Sequence, residues 1–152
     1  MRKFLVVVDS TPECMNALRF AARRAARTGG LVTMLFVIQP DEFQHWMGVA
    51  EAMKRDRREE AESRLSTLAD EVHLLAAIMP EFAIREGDPV EEVLNYIAED
   101  QEIGVLVLGA AAESDKPGPL VSALVGKRGG RMPVPVTVVP GSMSRDRIDS
   151  IC

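Results

Sequence analysis

The chain has 152 residues, 47% of them apolar and 27% charged, with a formal net charge of −5. That length is enough for one domain with a sizeable core, and the acidic balance gives overall electrostatics no role in gripping nucleic acid. No apolar stretch approaches the length of a membrane span.

The first element is predicted at Phe4 to Val8, apolar without alternation, the pattern of a strand buried on both faces of a parallel sheet. Its apolar run is cut by Asp9 too early for a signal peptide, so a cytoplasmic location is expected. Asp9 stands at the carboxyl end of this strand, where open α/β sheets bind ligands, although an Asp there can equally bond only its own turn. Thr11 is suited to cap a following helix and Pro12 to its first position, with Glu13 complementing the dipole. Cys14, Met15, Leu18, Ala21, Ala22 and Ala25 then share one helical face and Arg19, Arg23 and Arg27 the other, before Gly29 and Gly30 end the helix.

"LVTMLFVI", Leu31 to Ile38, is predicted as a second buried strand, followed by the loop "QPDEFQHWMG". Ala50 to about Leu75 carries a long helical pattern whose charged first half, "KRDRREEAESR", reads as a solvated face of spaced opposite charges. "EFAIREGDP" gives a third strand and a Gly-Asp-Pro turn, and Val90, Val93, Leu94 and Ile97 the apolar stripe of a third helix. "IGVLVLGA" is the fourth strand and "VPVTVVPG" the fifth. Between them, three glycines from Gly126 to Gly130 argue that any fourth helix is short or broken. The closing "SMSRDRIDSIC" reads as a loose polar tail, residues 142–152, beyond a domain of residues 1–141. Strands alternating with helices imply a three-layer α/β sandwich around a five-stranded, mainly parallel sheet.

Familiar chemical signatures are missing from these turns. The first turn has no G-x-G-x-x-G, no phosphate-cradling G-x-x-x-x-G-K-[ST] occurs, and one Asp followed by "STPE" lacks the acidic cluster of a receiver domain. Cys14 and Cys152 form no disulfide framework, and Cys14 with Arg19 lacks the spacing of a cysteine phosphatase loop. Cys14 is expected to be buried and structural, and His45 and His73 stand apart from any metal-ligand partner. Phe43 and Trp46 are candidates for covering a ligand or packing a contact.

Taken in order, "FLVVVDSTPECMNALRFAARRAARTGGLVTMLFVI", "REGDPVEEVLNYIAED", "VLVLGA" and "MPVPVTVVP" resemble the universal stress protein family over Lys3 to Pro140. The resemblance implies a Rossmann-like fold of the adenine nucleotide alpha hydrolase type and a homodimer through the last strand, Val136 to Val139. It also implies a regulatory domain, not an enzyme, with ATP or AMP as a possible ligand; a slow ATPase or phosphotransfer role is the enzymatic alternative. In the ATP-binding branch G-x2-G-x9-G-[ST] holds the phosphates, and that spacing falls here on Gly109, Ala112, Ser122 and Ala123. Two glycines and the terminal hydroxyl are lost, so triphosphate binding is expected to be weak or absent. By the same resemblance Asp9 meets the adenosine end, with Val7, Val37 and Leu108 near the base. Lys116, Lys127, Arg128 and Arg131, set among Gly118, Gly126, Gly129 and Gly130, offer either a substitute anion cradle or a solvated connection. With no nucleotide, the alternative is a domain acting through protein contacts.

Overall fold

The computed structural model describes residues 2–40, 47–113 and 115–152; Phe43, His45 and Trp46 lie outside them. Strand β1 is Lys3–Val7, helix α1 Glu13–Thr28, β2 Leu31–Ile38, α2 Met47–Ala76, β3 Glu81–Glu86, α3 Pro89–Glu99, β4 Ile103–Ala110, β5 Val136–Pro140 and α4 Arg145–Ile151. The strands form one sheet in the order β3-β2-β1-β4-β5, and every pairing is parallel.

Period-two alternation along β1 divides the core. Val6 and Val8 face a cluster completed by α1, α2 and α4, including Leu18, Leu65 and Ile148. Leu5 and Val7 face a second cluster with Val93 and Ile97 of α3 and with Leu124. All four of these β1-end side chains are buried, which is why the run shows no polar alternation in sequence.

The helix ends have local causes. Gly29 takes the left-handed conformation at φ 70°, and its N–H closes on the Ala25 carbonyl. The Gly-Asp-Pro turn is the start of α3: the Asp88 carboxylate accepts from the Glu91 N–H at 3.1 Å and Pro89 occupies the first helical position. Thr11 does not cap α1. The helix begins at Glu13 after Pro12, and no side chain caps it.

The segment after β4 is short and irregular, as expected. Val121–Lys127 forms a π-helical stretch and Gly129–Arg131 a single 3-10 turn. Ala replacing Gly at 126, 129 or 130 would meet nothing within 4 Å, so no close packing demands these glycines.

The expected loose tail is instead helix α4. Ser144 accepts from the Arg147 N–H, Ile148 is fully buried, and Cys152 packs behind it. The polar residues misled because their partners lie on α1: Asp149 receives Arg19 in a two-pronged pair at 2.8 and 2.6 Å and Arg23 at 3.2 Å. Arg19 holds the Asp149 carboxyl below the ordinary carboxylate range. At the amino end of the sheet Lys3 is buried among Asp100, Glu81 and Glu102, at 2.8, 3.1 and 3.5 Å. Those carboxylates raise the Lys3 pKa, and Lys3 lowers that of Asp100.

Candidate functional site

Because the chain runs outward from β1 in both directions, the order of the sheet reverses between β1 and β4, and the crevice beyond the carboxyl ends opens there. Asp9 stands at its centre. Its Oδ1 accepts the Thr11 N–H at 2.8 Å and the Thr11 hydroxyl as well, while its backbone carbonyl receives the Cys14 thiol at 3.5 Å. The turn-bonding role is therefore present, yet both side-chain bonds fall on one oxygen. Oδ2 has no protein donor among the described residues and is open to a ligand hydroxyl or amine.

Two cavities flank Asp9. Toward β2 lies one of about 540 Å³, walled by Asp9, Ser10, Phe36, Val37 and Gln39 and, from α2, by Arg57, Glu60, Ala61 and Arg64. Toward β4 lies a cleft of only about 90 Å³, lined by Val7, Asp9, Glu13, Leu108 and Gly109 and roofed by Pro117, Gly118 and Pro119. The roof is drawn in by a bond from the Ala111 N–H to the Pro117 carbonyl.

The predicted site residues thus separate into groups. Asp9 meets Val37 in the larger cavity, and Asp9 meets Val7, Leu108 and Gly109 in the cleft. Ala112 lines a different hollow, of about 410 Å³, with Glu13, Glu113 and Gly141. Ser122 and Ala123 line none of the three. Ser122 is exposed and its N–H is spent on the Gly118 carbonyl, while the Ala123 carbonyl accepts from Arg128.

Gly109 has a packing reason to be glycine. A Cβ there would stand 2.3 Å from the Glu13 carbonyl oxygen, so β4 passes the first turn of α1 at backbone contact. Arg128 turns to Glu91 of α3 at 3.6 Å instead of reaching the cleft.

Cys14 is buried, and burial pushes its thiol pKa up, with the Asp9 backbone bond and Arg64 acting in the opposite sense. It is a packed thiol, not an activated one. No group of three metal-ligating side chains occurs among the described residues, and no helix among them is long and apolar enough to cross a membrane.

The model of the universal stress protein family matches residues 1–140. The chain belongs to that family. No curated protein sequence matches it. Among solved structures it is similar to the universal stress protein UspA from Lactobacillus plantarum, with TM-score 0.74 and 22% identity over 91% of this chain and 97% of that one. It is also similar to a universal stress protein in complex with cAMP, with TM-score 0.64 and 18% identity over 93% and 98% of the two chains. A third is a family member from Arabidopsis thaliana with AMP bound, with TM-score 0.66 and 16% identity over 92% of each chain. These likenesses establish the shared fold.

In this universal stress protein the residues that sequence reasoning passed over are Arg57, Glu60 and Arg64. They sit in the charged run assigned to solvent, but at spacings of three and four that place them beside Ala61, which is buried. That single alanine amid charges is the signal that the run has an inner face.

Proposed function

We propose that this universal stress protein is a cytoplasmic regulatory domain that holds an adenine nucleotide beside Asp9 and acts by binding, not turnover. The observation that carries the reading is the cavity of about 540 Å³ at the carboxyl ends of β1 and β2, with Asp9 and Val37 on its wall. Phe36 and Val37 supply apolar surface for a base, and Oδ2 of Asp9, without a donor among the described residues, supplies an acceptor for a ribose hydroxyl. Relatives of the same fold complexed with cAMP and AMP support an adenine ligand.

The phosphate end is where this chain departs from the family pattern. Ala112 lines a hollow other than the cleft of Gly109, Ser122 and Ala123 line neither, and the cleft is narrow. A lost charge-assisted hydrogen bond costs about 1.5 to 3 kcal/mol, roughly ten- to over a hundredfold in affinity. Triphosphate should therefore gain little over monophosphate. Calorimetric titration with ATP, ADP and AMP tests this, and tight binding with a steep preference for ATP would overturn it.

The same narrow cleft favours one other reading, a domain that binds no nucleotide and works through protein contacts; absence of heat with all three nucleotides would select it. A homodimer is part of either proposal. β5 is an edge strand whose Val136 and Val138 are half-buried in one copy, so its open side is available for pairing. Light scattering at tens of micromolar protein should give twice the chain mass.

A further inference from the structure

Charge is distributed around Asp9 against the direction a nucleotide's phosphates take in the glycine-motif branch. Among the described residues, the cleft and the hollow on the β4 side are lined by three carboxylates, those of Asp9, Glu13 and Glu113, and by no lysine or arginine. A triphosphate laid there would meet like charge in a space of about 90 Å³. On the β2 side the cavity holds two arginines, Arg57 and Arg64, beside the two carboxylates of Asp9 and Glu60.

Arg64 is the better placed of the two cations. Its Nε is buried and has no hydrogen-bond partner among the described residues. Arg64 interacts with the Cys14 thiol, a weak acceptor. The half-buried Arg64 side chain lines this cavity and also a second one with Met15, Arg19 and Glu71; the group that best satisfies its planar fork of N–H donors is a carboxylate or a phosphate. Ala61, three residues earlier on α2 and 1% exposed, packs with Ile38 and fixes that face of the helix, so the arginine's base is rigidly held.

We propose that the ligand of this cavity carries one small anionic group, a phosphate monoester, and that Arg64 of α2 holds it in place of the loop after β4. This rests on the reading of the cavity as a nucleoside site. The ligand class is then a nucleoside monophosphate with its phosphate turned toward α2, and further phosphates add nothing because they leave the cavity for solvent or for the acidic β4 side.

The test is calorimetry on the full chain with adenosine, AMP and ATP, for the natural protein and for Arg64→Met and Arg64→Lys. The expected result is that AMP binds at least about tenfold more tightly than adenosine, with ATP within about threefold of AMP. Arg64→Met should abolish the advantage of AMP while leaving adenosine within about twofold, and Arg64→Lys should keep part of it, since the charge stays and the fork is lost. The lysine variant also serves if the methionine variant does not fold, because an AMP advantage left wholly unchanged in it would overturn the proposal. So would an Arg64→Met protein in which AMP keeps its advantage; adenosine binding in that protein would leave the nucleoside reading standing. Failure of all three ligands to bind the natural protein would overturn the nucleoside reading and this inference with it.

Discussion

Replacing Gly109 by alanine isolates a packing constraint from a ligand role that the same residue is expected to fill. The new Cβ would stand 2.3 Å from the Glu13 carbonyl oxygen and 2.7 Å from its carbonyl carbon, whereas ordinary contact begins at 3.4 Å. The opposing atoms are backbone, in the first turn of a helix whose Cys14, Ala17 and Leu18 are fully packed, so the helix start must retreat by about 1 Å or β4 must bow. Overpacking of this kind costs about 1–3 kcal/mol. For a chain of this size that is a fall in Tm of roughly 2–12 °C. Differential scanning calorimetry measures the fall, and titration with AMP in parallel should show affinity within about threefold of the natural protein, because the larger cavity is not lined by Gly109. A variant that melts within about 1 °C of the natural protein would refute the packing argument. Normal melting with lost AMP binding would return Gly109 to the phosphate site.

Ile148→Ala removes a fully buried side chain from α4 and should cost about 2–5 kcal/mol by urea denaturation, where a loose tail would cost nothing measurable. Gly126, Gly129 and Gly130 have open space where a Cβ would go and no left-handed φ, so changing all three to alanine should raise Tm by several degrees; a fall would show that the segment needs its freedom. Asp100 and Asp149 have pKa values lowered in the fold by Lys3 and Arg19, so the stability they supply is present above the ordinary carboxylate value of 3.8 and lost as pH falls through their folded values. Tm should hold from pH 7 to about pH 5 and drop below about pH 4, and Asp149→Asn should melt lower at pH 7 with a shallower acid decline; an unchanged acid profile in that variant would refute the pairing's contribution.

The sheet was readable because buried parallel strands write themselves as unbroken apolar runs, as in Leu31 to Ile38, whose predicted bounds coincide with those of β2. What sequence could not supply was contact at long range. The final segment is capped locally by Ser144, but its Asp149 is held by Arg19 and Arg23, more than a hundred positions away, and nothing local distinguishes that pairing from solvation. Thr11 fits every rule for a cap, but Asp9 offered its N–H and hydroxyl a nearer acceptor. At the candidate site the position of Asp9 was legible from the strand it ends. Arg64 was not, because only the placement of α2 over the carboxyl ends of β2 and β1 tells an inward arginine from the outward charges around it. Of Gly109, Ala112 and Ser122, which keep the family's spacing, only Gly109 lines the cleft beside Asp9.

Asn16 of α1 reaches across to the chain leaving β5, where its carboxamide donates to the carbonyls of Pro140, Gly141 and Met143 at 3.1, 3.2 and 3.0 Å. An edge strand is ordinarily the part of a sheet most prone to slide or be exchanged with a neighbour's, since one side of its ladder is empty. Here the far end of that strand is stapled to a helix that itself packs on the centre of the sheet, and α4 locks behind the staple. Sliding β5 by one residue would flip its side chains between faces and strand three carbonyls at once, so its register on β4 is held from both ends. The free edge of the sheet is thereby one of its least yielding parts.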